Sequence, residues 1–355
     1  MSSNVVIDCF AGAGGLSLGL SSAGLSPRAS FDITPSAVAT YRANLGPHSI
    51  EADARQIDGK DLLDIAGVDG PPLLVAGGPP CQGFSRQRRG GSGDPRNELL
   101  FDFLRLVSEI GPRYFLMENV AALAGVRGAD YFSAFLRGAD EVGYSVEWKI
   151  LDAADFGVSQ RRRRLFVVGR RHDQAPSFSW PAPTTPSPRW KSVRDAIGDL
   201  PSPIDEPTAA SAVPNHELGN ISELNIERIR HVPPGGGRSD IPVGLRLKCH
   251  AVSVERAGHR GVYGRLSWDE PSGTITTKCN SFTRGRFAHP SEHRNITMRE
   301  AARLQGFPDD FEFRGSRVDV AHQVGNAVPP PLAAALGKAI LAAAAASASG
   351  LPLAA

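Results

Sequence analysis

The chain is short of sulfur, of long apolar stretches and of excess charge. Its 355 residues contain three methionines and four cysteines, Cys9, Cys81, Cys249 and Cys279. No two cysteines stand in a C-x-x-C spacing, which argues against a disulfide framework or a zinc cluster. Cys249, His250, His259 and Cys279 read as scattered core and loop residues, and no metal is expected. No run of about eighteen apolar residues is present, so no membrane span is expected. The opening MSSNVVIDCF lacks a basic stretch and a long apolar segment. It does not read as a secretory signal, and the cytoplasm is the expected compartment. Net charge is +2, too small for the chain as a whole to declare a nucleic-acid partner. Internal repeats are missing as well.

What is present fits a large globular protein: 41% hydrophobic and 21% charged residues, enough for a sizeable core in two domains or in one domain with an insertion. Up to about residue 170, strands alternate with helices. NVVID, PLLVAGG, YFLMENV, YSVEWKILDAADFG and RLFVVGR read as strands; GLSLGLSSAG, residues 36–45, NELLFDFLRLVSEIG and DYFSAFLRGADEVG read as helices. That alternation predicts an α/β layer with a mostly parallel sheet. From His172 to about Arg265 prolines are frequent and periodicity is weak, as in a separate loop-rich module. PSGTITTKC reads as a strand, Thr297 with Glu300 as a capping box, and the alanine-rich end as a helix opened by prolines.

Four stretches carry chemistry. In DCFAGAGGLSLGL a strand runs into a glycine turn and then a helix. Gly12, Gly14 and Gly15 let the backbone lie against a ligand at the mouth of a parallel sheet. No Gly-Lys-Ser/Thr follows, so this is not a phosphate loop. Asp32, about twenty residues on, suits ribose hydroxyls, and Asp53 suits an adenine amino group. In GGPPCQGFS, Cys81 stands behind two prolines in a frame of glycines. Both a tight turn around a buried thiol and a nucleophile on a rigid ledge fit those residues. Glu118 ends a strand at the same sheet edge, where a desolvated carboxyl can serve as an acid. Arg162 and Arg164, two apart, would share one face of a strand. Basic clusters at Arg86, Arg88 and Arg89, at 161–164, and at Arg284 and Arg286 suit a phosphate backbone as well as they suit solvent.

Taken in order, DCFAGAGG, GGPPCQGFS, ENV, QRRRR, REAARLQGFP and QVGNAVPP resemble the successive blocks of bacterial DNA (cytosine-5)-methyltransferases, over nearly the whole chain. The resemblance implies an S-adenosylmethionine-dependent methyltransferase fold: Rossmann-like α/β, a mostly parallel sheet with helices on both faces, plus a small loop-rich target-recognition domain. Residues 1–172 would form the catalytic and cofactor domain, completed by 320–355. Residues 173–290 would recognise the target, and 291–319 would be a hinge and connecting helix. The implied reaction moves the methyl of S-adenosylmethionine to C5 of a cytosine flipped out of a specific duplex sequence. It passes through a covalent bond between Cys81 and C6, with Glu118 acting at N3 and Arg164 and Arg162 at O2.

By the same resemblance Phe10, Gly12, Gly14, Asp32, Ile33, Asp53, Ala54, Pro80, Leu99, Asn326 and Val328 would hold the cofactor. Asp32 stands where the family usually has Glu. Gln82, Ser85, Arg86, Arg88 and Gln160 would touch DNA, and 82–96 would close as a lid. Expected partners are duplex DNA and a cognate restriction endonuclease acting on the same site, unless the enzyme is an orphan; a monomer is the family default. A tRNA methyltransferase on the same scaffold would carry a Cys-Phe-Thr tripeptide, which Cys279-Asn280-Ser281-Phe282-Thr283 interrupts.

Overall fold

Four short apolar runs, VVI at 5–7, LLV at 73–75, YFLM at 114–117 and LFVV at 165–168, are buried and form the centre of one sheet. Runs of that kind, apolar on both faces, are what a strand covered by helices on each side requires. The structure is a computed structural model that describes residues 4–80, 98–173, 178–247 and 261–349. It divides into two units: residues 1–156, 163–184 and 328–355, and residues 157–162 with 185–327.

In the first unit β1 (Val5–Cys9), α1 (Gly15–Ser22), β2 (Ser26–Asp32), α2 (Pro35–Leu45), β3 (Ser49–Glu51), α3 (Gly59–Ala66), β4 (Leu74–Gly77), α4 (Leu99–Ile110), β5 (Tyr114–Val120), α5 (Ala129–Glu141), β6 (Tyr144–Asp152) and β7 (Arg163–Arg171) follow in sequence. The sheet order is β3-β2-β1-β4-β5-β7-β6. Strands β1 to β5 pair in parallel, and β7 runs antiparallel to both β5 and β6. The expected mostly parallel α/β sheet is what forms. The order reverses between β1 and β4, so a crevice opens at the carboxyl ends of these two strands, the place where such sheets bind ligands. Because β7 is antiparallel, its first residues lie at that same edge.

The sheet register also explains a residue at each centre. At Gly77 a Cβ would stand 2.6 Å from the Cys9 carbonyl oxygen, so the close β1–β4 approach demands glycine. A last helix, α11 (Pro330–Ser349), packs on α1: a Cβ at Gly19 would fall 2.3 Å from the Pro330 carbonyl oxygen and 2.5 Å from the Ala333 Cβ. By length and composition alone the stretch 317–346 would also suit a bilayer, as the core helix of a globular protein does. In α11 the apolar side chains Leu332, Leu336 and Ile340 are buried in the protein, which accounts for that composition.

The second unit holds α6 (Val193–Ile197), α7 (Pro207–Ser211), α8 (Glu223–Arg230), β8 (Gly264–Arg265), β9 (Arg286–Ala288), α9 (Met298–Leu304) and α10 (Arg317–Asn326). The capping box of Thr297 with Glu300 forms as expected and opens α9. PSGTITTKC does not form a strand. It contributes a single bridge, Ser272 to Gln160. The Ile275 N–H donates to the Gln160 side-chain oxygen at 2.8 Å, and the Thr274 hydroxyl to the Arg161 carbonyl at 2.9 Å. Side chains thus occupy groups that a ladder would need. By compactness, residues 173–184 group with the first unit, and 157–162, 291–319 and 320–327 with the second.

Under the first glycine loop lies a buried polar chain. Ser17 Oγ donates to Asp8 Oδ2 at 2.6 Å, Tyr41 donates its phenol proton to Ser17 at 2.9 Å, and His48 Nε2 stands 3.2 Å from the phenol oxygen. Asp8 Oδ1 is buried with no hydrogen-bond partner among the described residues. Burial, offset in part by Ser17 and reinforced by the charge of Asp32, pushes the Asp8 carboxyl up to about 7. A carboxyl raised in the folded state contributes stability that is complete below its unfolded value and is lost as pH rises through the folded value. Asp8→Asn keeps an acceptor for Ser17 and should therefore gain on the wild type by about 1 kcal/mol per pH unit from about pH 5 to about pH 7. Urea unfolding across that range checks it; a constant difference would mean that Asp8 is ionised throughout.

Candidate active site

The loop after β1 turns by left-handed backbone at Phe10 (φ 57°), Gly12 (φ 55°) and Gly14 (φ 94°). Two bonds lock it to the neighbouring strand: the Ala11 N–H donates to the Phe31 carbonyl, and the Gly12 N–H to Asp32 Oδ2, both at 2.9 Å. Asp32 Oδ1 accepts from the Thr34 N–H at 2.9 Å. Each carboxylate oxygen keeps room for a further donor, so the shorter acid both shapes the loop and remains able to accept hydroxyls. Among the described residues, nothing beyond its own chain neighbours lies within 4 Å of where a Gly12 side chain would begin. Beside this space Ile33 is 61% exposed, and Phe10 leans on Phe31 with ring centroids 5.3 Å apart. An open glycine turn, an exposed apolar side chain and a carboxylate with spare acceptors fit a nucleoside such as the adenosyl part of S-adenosylmethionine.

Other expected cofactor residues are placed less directly. Both oxygens of Asp53 accept from the Arg55 guanidinium, at 3.0 and 2.8 Å, and those hydrogen bonds hold the carboxyl below its ordinary range. Ala54 is 3% exposed and sits in the core, with its carbonyl accepting from Arg105. Its side chain is therefore packed inward, which leaves only its backbone to meet a ligand. Pro80 and Leu99 are half-buried. Val328 is buried in the first unit, and Asn326 is exposed at the end of α10 in the second.

The second half of the site is the end of β5. Arg164 on β7 is opposite Val120, and Glu118 lies two residues back on the same face. Arg164 Nε stands 3.1 Å from Glu118 Oε1. The chain leaving β4 passes against this carboxylate, since a Cβ at Gly78 would be 3.4 Å from Glu118 Oε2. One residue on, the buried Asn119 donates from Nδ2 to the Pro79 carbonyl at 3.0 Å and accepts the Val120 N–H on Oδ1 at 2.8 Å. The backbone leading to Cys81 is thus clamped from β5. Sequence reasoning picked Glu118 out of ENV and missed Asn119 and Gly78; the fixed neighbourhood of Asn119 to the acid was the available signal.

Cys81, Gln82, Ser85, Arg86 and Arg88 lie outside the described residues. Cys9 and Cys279 are fully buried, and burial pushes both thiols up, Cys279 to about 12. Thiols in that state are poor nucleophiles.

Gln160 and Arg162 are both enclosed by the second unit. Gln160 is fully buried, donating to the Leu304 carbonyl and Gln305 Oε1 and accepting from the Ile275 N–H. Arg162 is 1% exposed, and its Nη1 and Nη2 donate to the carbonyls of Ile275 and Gly325 at 3.0 Å. The two-residue spacing to Arg164 suggested a common face, but β7 begins only at Arg163, so strand alternation does not reach back to Arg162. Arg161, next to it, lies 4.0 Å above the Trp190 ring. Arg164 pairs with Glu118 within the first unit.

The family model for C-5 cytosine-specific DNA methylases matches residues 5–342. The chain belongs to that family. Among curated relatives, a type II methyltransferase of Haemophilus parahaemolyticus, M1.HphI, is 38% identical over 342 residues, covering 94% of this chain and 86% of that protein. The type II methylase M.HgiDII of Herpetosiphon aurantiacus is 33% identical and is covered over 94% of both chains. Among solved structures, a DNA modification methyltransferase encoded within an Escherichia coli prophage aligns with a TM-score of 0.74 at 25% identity, covering 96% of this chain and 99% of that one. This methylase is therefore a DNA (cytosine-5)-methyltransferase with the α/β methyltransferase fold.

In this methylase Arg162 carries structure within the second unit. Arg162→Leu should lower stability by about 2–5 kcal/mol, because it strips two buried carbonyls of their donor. Arg162→Lys should recover only part of the loss, since one ammonium cannot reproduce the guanidinium fork. Urea denaturation of the three proteins checks both; a full recovery by lysine would show that the fork is not needed.

Proposed function

We propose that Cys81 is the nucleophile, that Glu118 and Arg164 hold the cytosine, and that S-adenosylmethionine is the methyl donor. The observation that carries this reading is the pairing of Glu118 with Arg164 at 3.1 Å, beside the Gly78–Pro79 backbone that leads into Cys81. An acid and a guanidinium, set side by side on one strand face, match the N3 and O2 edge of a cytosine. The Cys81 thiolate adds to C6, a proton from Glu118 neutralises the charge passed to N3, and Arg164 donates to O2. When the base arrives, Glu118 takes up a proton from water and turns from its ion pair with Arg164 to N3, and Arg164 turns to O2. Asp32 would accept the ribose hydroxyls, with Phe10 and Ile33 against the adenine, and the bound cofactor would supply an electrophilic methyl for C5. The C5 proton then passes to water, N3 returns its proton to Glu118, and the C6–S bond breaks to release the thiolate. Holding Pro79 from Asn119 fixes the approach of the thiol before reaction.

Duplex DNA is the proposed substrate form, with Gln82, Ser85, Arg86 and Arg88 of the loop after Cys81 contacting it near the flipped base. The enzyme acts as a cytoplasmic monomer, beside a restriction endonuclease of the same specificity or as an orphan. Incubation with S-adenosylmethionine and unmethylated genomic DNA, followed by base-resolved mapping of 5-methylcytosine, should show one short repeated motif. Methylation of a tRNA transcript and not of DNA would overturn the choice of substrate. Cys81→Ser should abolish transfer while leaving cofactor affinity intact, and Glu118→Gln should lower kcat by about two to four orders of magnitude. Methylation kinetics with a parallel cofactor-binding titration separate these effects; full activity in Cys81→Ser would remove the covalent route.

A further inference from the structure

The chain that leaves β5 past Glu118 carries a feature that the reaction above does not use. After Val120 a single helical turn spans Ala121–Ala124, and the turn Gly125–Gly128 then leads into α5. Val126 at the tip is 98% exposed, the most exposed large apolar side chain among the described residues, and Arg127 beside it is exposed too. A lone exposed valine needs no explanation, but this one is held out rigidly. Leu123 is fully buried beneath it. The Gly125 N–H donates to the Ala122 carbonyl at 3.1 Å, and the Gly128 N–H to the Gly125 carbonyl at 2.9 Å. A Cβ at Gly128 would lie 2.2 Å from the Leu123 carbonyl oxygen, so no side chain other than glycine lets the turn close this tightly.

Position and charge name the occupant. The tip follows Glu118 by eight residues and leaves the sheet at the carboxyl edge where Glu118, Arg164 and the Pro79 backbone meet. No acid occurs between Asn119 and Ala129, and among the described residues Arg127 has no ion pair. Any duplex that delivers a cytosine to Glu118 brings its sugar–phosphate backbone to this edge. We propose that the Val126–Arg127 tip is a DNA-contacting element, with Arg127 binding a backbone phosphate near the target cytosine and Val126 resting on the adjoining sugar. This rests on duplex DNA being the substrate.

The test uses the full chain and a duplex carrying the mapped methylation motif, with binding measured from low to moderate potassium chloride. Arg127→Gln should weaken binding about 3- to 10-fold and reduce the slope of log affinity against log salt by about 0.9, the value of one phosphate contact. Arg127→Lys should restore most of both. Val126→Asp sets a carboxylate toward the phosphates and should weaken binding at least as much. Cofactor affinity and kcat at saturating DNA should stay unchanged, since neither residue touches the reacting groups. Wild-type affinity in Arg127→Gln, or weaker binding with an unchanged salt slope, overturns the phosphate contact; wild-type affinity in Val126→Asp overturns the tip as a contact. If duplex DNA is not the substrate, the wild-type protein itself neither methylates nor selects the duplex, so the two failures are distinguishable.

Discussion

One buried amide bears on everything at the reactive edge. Asn119 holds the Pro79 carbonyl from the neighbouring strand, so the chain cannot leave β4 in an arbitrary direction. The adjoining residue, Glu118, is thereby set against Gly78 and opposite the guanidinium of Arg164. Two consecutive residues of one strand point to opposite faces, and here they divide the work: one fixes backbone, the other presents a carboxyl group. A prolyl-prolyl segment adds stiffness that the amide then orients. Preorganisation of this kind is paid before substrate arrives and leaves less reorganisation for the reaction itself.

On the cofactor side a carboxylate plays the equivalent part. Asp32 accepts from the Gly12 and Thr34 backbone, drawing the turns after β1 and β2 together, while its oxygens retain acceptor sites. The short side chain that departs from the family's Glu is well matched to this grip, because a carboxyl one methylene nearer the strand reaches backbone N–H groups directly. Beneath the loop, Asp8, Ser17 and Tyr41 form a polar chain in an apolar surround, stable there as long as the carboxyl is not forced to ionise.

The second unit follows a different rule. Its apolar side chains gather in more than one place, around Ile229, Val232, Ile241, Val262, Tyr263, Phe282 and Ala288 and again around Phe307, Phe311 and Phe313, and long cations do much of the linking. Arg265 donates to the carbonyls of Val232, Ile229, His289 and Glu292. Arg162 donates likewise to the carbonyls of Ile275 and Gly325, and Gln160 accepts the Ile275 N–H. Loops without ladders must satisfy their backbone in this way. That is why arginines which look like nucleic-acid contacts in the sequence are, in part, internal struts.

Apolar runs, glycine turns and the order of six motifs were enough to determine the α/β class and the family. Those signals are local: a strand buried on both faces needs a continuous apolar run, and a left-handed turn needs glycine, whatever else the chain does. Individual side-chain destinations were another matter. Gln160 and Arg162 stand in a motif with Arg164, yet only Arg164 lies on the strand that reaches Glu118, because β7 starts at residue 163. Ala54 is adjacent to Asp53 and is nonetheless packed into the core. The stretch 271–279 has strand-like composition but loses its backbone partners to Gln160 and Arg161. These outcomes depend on which distant groups compete for each donor and acceptor, and that competition exists only once the chain has folded.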